Sequence, residues 1–172
     1  MLKIIARILR VLNSETAPAQ IAAAVILALF MGLSPLGAPH NLFLLLLVLV
    51  LRVNLSLFIV CFAIFSGIAW LLDPWAHALG LALLQAEALQ GVWTALYNNG
   101  FWRFLGFNNT LTLGTTFAAL VLSVPLYFAV TWGVRNYRQH VLEYVRRSRI
   151  MLAFKSNKWG RRFYSIYSTL DR

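Results

Sequence analysis

Acidic residues are scarce in this chain: five Asp and Glu stand against fifteen Lys and Arg in 172 residues, and charge of either sign amounts to 12%. A soluble domain carries roughly 25%. With three His and one Cys besides, there is little from which to build the converging carboxylates, imidazoles or thiolates that acid-base and metal chemistry need. The zinc pattern H-E-x-x-H, paired cysteines, the phosphate loop G-x-x-x-x-G-K and the G-x-S-x-G elbow are all missing. The chain is therefore expected not to be an enzyme, and to use no cofactor and no metal. Cys61 is the only cysteine, which excludes a disulfide framework and a paired thiolate site. Asp73 and His77 fall one helical turn apart and could share a proton, but an ordinary helix-start pair explains them.

What the chain has instead is hydrophobic length. Sixty per cent of it is apolar, and its uncharged runs exceed the roughly 18 residues that separate a membrane span from a buried core helix. The cations collect at the two ends. Lys3, Arg7 and Arg10 precede the first long apolar run, and ten basic residues from Arg135 onward face only Glu143 and Asp171. Lys and Arg next to spans are retained on the cytoplasmic side, so both termini are expected inside. Arg146, Arg147, Arg149, Lys155, Lys158, Arg161 and Arg162 then form a basic tail at the membrane surface. Its expected partners are membrane lipids, anionic at the cytoplasmic face, and no nucleic acid. The early charges are interleaved with apolar residues, unlike those of a cleaved signal peptide.

The expected fold is an all-α membrane protein, a helical bundle of about four membrane segments. Residues 1–16 read as an interfacial amphipathic helix, with Lys3, Arg7 and Arg10 on one face. Residues 17–134 read as the membrane domain, and 135–172 as the cytoplasmic tail. No full charge interrupts 17–51, yet Gly32, Pro35, Gly37 and Pro39 break the run near its middle. The two pieces, 17–33 and 40–51, would be about 26 Å and about 18 Å long, against a hydrocarbon core of about 30 Å. Either a re-entrant hairpin or two thin, tilted crossings satisfies those lengths.

Arg52 and Asn54 mark an interface boundary, because a helix continuous through Arg52 would bury its charge at a cost of at least about 2.5 kcal/mol. After the run 55–72, Asp73 and Pro74 read as the cap and first residue of a new helix. It carries an apolar stripe of Leu79, Leu83, Ala86, Leu89, Trp93 and Leu96. The segment 73–109 is close to neutral and suits the non-cytoplasmic side, with Trp75, Trp93, Phe101, Trp102, Phe104 and Phe107 as an aromatic belt. The last span, 110–134, contains Pro125.

Turn-formers and two polar side chains fall together at Gly32, Pro35, Gly37, Pro39, His40 and Asn41. Where such a break lines a cavity, the following half-helix presents free N–H groups and a positive dipole end, which can receive a phosphate or carboxylate. A tight outer loop in which His40 and Asn41 cap the next helix is the simpler alternative.

The order Gly32-Leu33-Ser34-Pro35 and Gly37, then Leu51-Arg52-Val53-Asn54, then Asp73-Pro74 resembles the bacterial membrane family known as domain of unknown function twenty-sixty-two. The resemblance covers about 21–74. Asp73 stands where that family commonly has Asn. It carries over no reaction and no catalytic residues. It implies a small multi-pass protein of the bacterial inner (cytoplasmic) membrane and, through relatives with a longer basic tail, a large envelope-spanning lipid-transfer protein as partner. The functional expectation is a non-enzymatic component in cell-envelope lipid handling or transport. The alternatives are a small anionic-solute transporter or channel, and a structural membrane anchor for a larger complex.

Overall fold

The computed structural model describes residues 17–51 and 53–141. The expected interfacial helix 1–16, Arg52 and the basic tail beyond 141 lie outside the described residues. Every regular element among the described residues is helical. Two compact units divide the chain, one of residues 23–127 and the other of 1–22 with 128–172.

Helix α1, Pro18–Leu33, opens with proline at its first position, where no N–H is needed. It is apolar all round and the most enclosed element. Ala22, Ala24 and Ala28 are fully buried, and Leu29 and Leu33 nearly so. Helix α2, His40–Val50, buries only Asn41 and Val48 and turns Leu42, Leu46, Leu49 and Val50 outward. The chain breaks again before α3, Leu55–Gln85. Asn54 takes an extended conformation there, and its Oδ1 accepts from the Leu57 N–H at 2.9 Å. That cap places the expected boundary on Asn54.

Helix α3 corrects one expectation. Asp73 and Pro74 do not open a new helix: α3 runs through them for 31 residues. Pro74 has no N–H for the Trp70 carbonyl, a defect of about 3 kcal/mol in an ordinary helix. Packing outweighs it. Ala69, Leu72, Ala76 and Gly80 recur at helical spacing across the proline; Ala69 and Leu72 pack on the core of Leu29, Leu33 and Ala119, joined by Phe30, Phe65 and Leu126. Pro74 itself lies on the exposed side. Breaking the helix there would separate the core contacts from those of Gly80.

The segment after Gln85 is also not one helix. A 3-10 turn Glu87–Leu89 leads into α4, Gln90–Tyr97, and α5, Gly100–Phe104. The expected stripe survives this breakage, since Leu79, Leu83, Ala86, Leu89, Trp93 and Leu96 are each half-buried among mostly exposed neighbours. Trp93 donates from Nε1 to the Leu83 carbonyl at 2.9 Å and stacks on Phe107, centroids 6.0 Å apart. Trp75, Phe101, Trp102 and Phe104 are exposed.

Helix α6, Thr110–Asn136, contains Pro125 and continues into a π-type turn, Tyr137–Val141. Its first turns cross α3 at closest approach. A Cβ on Gly80 would overlap the Thr110 carbonyl and lie 2.9 Å from the Gly114 nitrogen; one on Gly114 would overlap the Ala76 carbonyl and lie 2.9 Å from the Gly80 nitrogen. Ala76 and Gly80 thus face Thr110 and Gly114, two small-x-x-x-small pairs that let the backbones touch.

Candidate functional site

The turn between α1 and α2 is closed by its own polar groups. Ala38 N–H donates to the Pro35 carbonyl at 2.9 Å. Ser34 Oγ lies 2.7 Å from His40 Nε2, and the Leu105 backbone is a second partner of that imidazole. Asn41, 5% exposed, donates from Nδ2 to the carbonyls of Pro35 at 2.8 Å and Leu36 at 3.3 Å. These two contacts fix the orientation of the amide, since the flipped form would set oxygen against oxygen. Its Oδ1 is buried without a partner among the described residues.

His40 and Asn41 are therefore clamps across the turn. They do not cap α2 either: Pro39 holds that position, with no side-chain bond. At the start of α2, Asn41 N–H goes to the Ala38 carbonyl and Leu42 N–H to that of Pro39. The unpaired buried atom at the turn is an acceptor, which repels an anion. Of the two glycines singled out in the sequence, Gly32 has a steric reason, its added Cβ meeting that of Phe65 at 2.6 Å. Gly37 has none, with open space around it and no positive φ.

The outer face of the turn has a further role as one wall of a cleft of about 500 Å³. His77 of α3 and the start of α6 complete it. Asn109 caps α6, Oδ1 accepting from Thr112 N–H at 3.0 Å, and its carbonyl accepts from Leu113 N–H at 2.9 Å. Gly106 bends the chain into that cap with φ +75°, a left-handed conformation suited to glycine. His77 Nδ1 lies 2.6 Å from Thr110 Oγ1. The imidazole thus pairs across to α6, and Asp73 is not its partner; Asp73 instead lines a separate, apolar cavity of about 150 Å³ with Leu33, Leu72 and Thr115. Among the described residues, no three His, Cys, Asp or Glu gather as a metal site would require.

Sequence reasoning did not assemble this cleft. Its walls come from three separated segments, and the one signal present was Asn109-Thr110, a cap followed by an uncharged run. The boundary pair expected at Arg52 and Asn54 takes no part in the cleft; of the two, Asn54 alone is described, and it acts as a helix cap.

Together these features define a protein whose described residues form helices and no strand, two of them, α3 and the continuous stretch 110–139, long and apolar enough to cross a membrane. The chain belongs to the family described as an uncharacterized protein conserved in bacteria (DUF2062), whose family model matches residues 3–143. The match extends beyond the 21–74 on which the sequence resemblance rested. An uncharacterized protein of Treponema pallidum (strain Nichols) is similar, 26% identical over 156 residues that cover 91% of this chain and 96% of the relative. No solved structure matches.

Proposed function

We propose that the protein is an integral, multi-pass component of the bacterial inner membrane, with both ends cytoplasmic, working without catalysis in the handling of envelope lipids. The observation that carries this reading is the outward apolar surface. Leu42, Leu49, Ile64, Trp70, Leu71 and Leu120 are exposed between 55% and 80%. Only 6% of the most apolar stretch of α3 is buried. The core helix of a soluble protein would be enclosed, whereas a helix against acyl chains would look like this one.

The same geometry favours two thin crossings over a turn that stops mid-bilayer. From Leu55 to His77, α3 rises about 33 Å, slightly more than the hydrocarbon core. The α1–α2 turn lines the cleft together with His77, which supports reading it at the far boundary when Leu55 marks the near one. Polar groups then collect where lipid headgroups lie. Extraction of membranes with alkaline carbonate, followed by mild-detergent purification and mass spectrometry of what is retained, tests this proposal. Retained phospholipid, alone or with a large envelope protein, supports it; release of the chain by carbonate overturns it.

A further inference from the structure

The wall of the cleft opposite the α1–α2 turn is the start of α6. Thr110 and Leu111, the first residues of α6, have backbone N–H groups without a partner among the described residues. They stand at the positive end of a helix of 27 residues that has no acidic residue in its first turn. Thr112 lines the same cleft and is 7% exposed. Its backbone is engaged, N–H with Asn109 and carbonyl with Thr115 at 3.2 Å. Its hydroxyl makes no hydrogen bond among the described residues. The residue is enclosed while its hydroxyl stays open on the cleft, where a ligand can take it as a donor. His77 adds Nε2, the ring nitrogen not used by Thr110. Among the described residues no carboxylate lines the cleft, and its other wall is formed by Pro35, Gly37, Ala38 and Pro39.

We propose that this cleft binds a phosphate group, held by the Thr110 and Leu111 N–H groups, the Thr112 hydroxyl and His77. The volume of about 500 Å³ is that of a small-molecule site and exceeds what a lone anion fills. A glycerophosphate headgroup and free phosphate share the recognised chemistry. The inference rests on the envelope-lipid reading only for which of these two arrives.

The test uses the full chain in neutral detergent, with binding followed by calorimetry and thermal shift. The probes are short-chain phosphatidylglycerol, the matching uncharged diacylglycerol and sodium phosphate. Phosphatidylglycerol is expected to bind and diacylglycerol not to. Tighter binding of phosphatidylglycerol than of phosphate identifies the headgroup, and equal binding identifies the free ion; both uphold the site. Thr112→Val should weaken binding roughly tenfold, the loss of one charge-assisted hydrogen bond. Gly37→Trp should abolish it, because Gly37 lines the cleft with room for a side chain. Gly91→Trp, equally open and outside the cleft, should leave it unchanged. Diacylglycerol binding as tightly as phosphatidylglycerol, or no binding of either anion at millimolar concentration, overturns the proposal even if a variant fails to fold. So does unchanged affinity in folded Thr112→Val and Gly37→Trp. A chain that resists carbonate but binds no anion loses the cleft and keeps the membrane reading; one that carbonate releases but that binds phosphate keeps the cleft alone.

Discussion

Gly80 of α3 and Gly114 of α6 meet with no side chain between them, each standing where a Cβ on the other would lie 2.9 Å from its backbone nitrogen. Such contact is how helices associate where the surrounding solvent is as apolar as leucine and burial alone gives no drive. The crossing also sets the level at which Thr110, one turn before Gly114, reaches His77. Packing at the glycines and the polar cleft are thus one arrangement.

Gly80→Ala and Gly114→Ala should each destabilise the protein, by about 1–3 kcal/mol as for an overpacked core. The obstacle is backbone, which cannot rotate away. Gly37→Ala and Gly91→Ala, with open space at Cβ, should stay within about 0.5 kcal/mol. Thermal unfolding in detergent distinguishes the two pairs, and equal behaviour of all four would remove the crossing.

Asn41 offers a sharper contrast. Replacement by Ala forfeits two bonds to the Pro35 and Leu36 carbonyls, a loss of about 1–3 kcal/mol. Asn41→Asp should be worse, because it sets a carboxylate against those carbonyls in a site only 5% exposed. Protein abundance in membranes should rank wild type, Ala, then Asp. An Asp variant as abundant as wild type would show that the amide does not clamp the turn.

At the second break, Asn54→Ala should cost about 1 kcal/mol through loss of the bond to Leu57 N–H, and Asn54→Ser should recover most of it. Hydrogen exchange at the first turn of α3 reports the effect directly. Protection unchanged in the Ala variant would mean that packing alone fixes the start of the helix.

The parts of the fold legible in the sequence are those written locally. Proline and the uncharged runs placed α1, α2 and α6 within two residues of their observed ends, and the boundary expected at Arg52 and Asn54 coincides with the Asn54 cap. Asp73-Pro74 misled because a local start signal competed with a face, Ala69 to Gly80, whose worth depends on partners far along the chain. Gly80 and Gly114 are 34 positions apart, and no periodicity connects them. The cleft was hidden for the same reason: the hairpin side chains that looked like a site, His40 and Asn41, are engaged across their own turn, while the cleft draws on His77 and the start of α6, far along the chain.

The last prediction concerns where α3 leaves the bilayer. Its 31 residues extend about 46 Å, while the hydrocarbon core takes up about 30 Å, so about ten residues must protrude or the helix must tilt steeply. The uncharged run ends at Asp73, which marks the exit, and the stretch beyond it bears the exposed Leu81. In a Cys61→Ser background, a membrane-impermeant maleimide should therefore label Leu81→Cys and Asn99→Cys in intact cells. Ile64→Cys, although 55% exposed, should stay unlabelled because lipid and not water covers it. On the proposed orientation, in which the cations hold the tail inside, Ser156→Cys in the basic tail should react only after permeabilisation. Protection of Leu81→Cys together with Ile64→Cys would mean a steep tilt with the cleft drawn into the hydrocarbon. Labelling of Ser156→Cys from outside would reverse the orientation and set the cleft against the cytoplasmic leaflet.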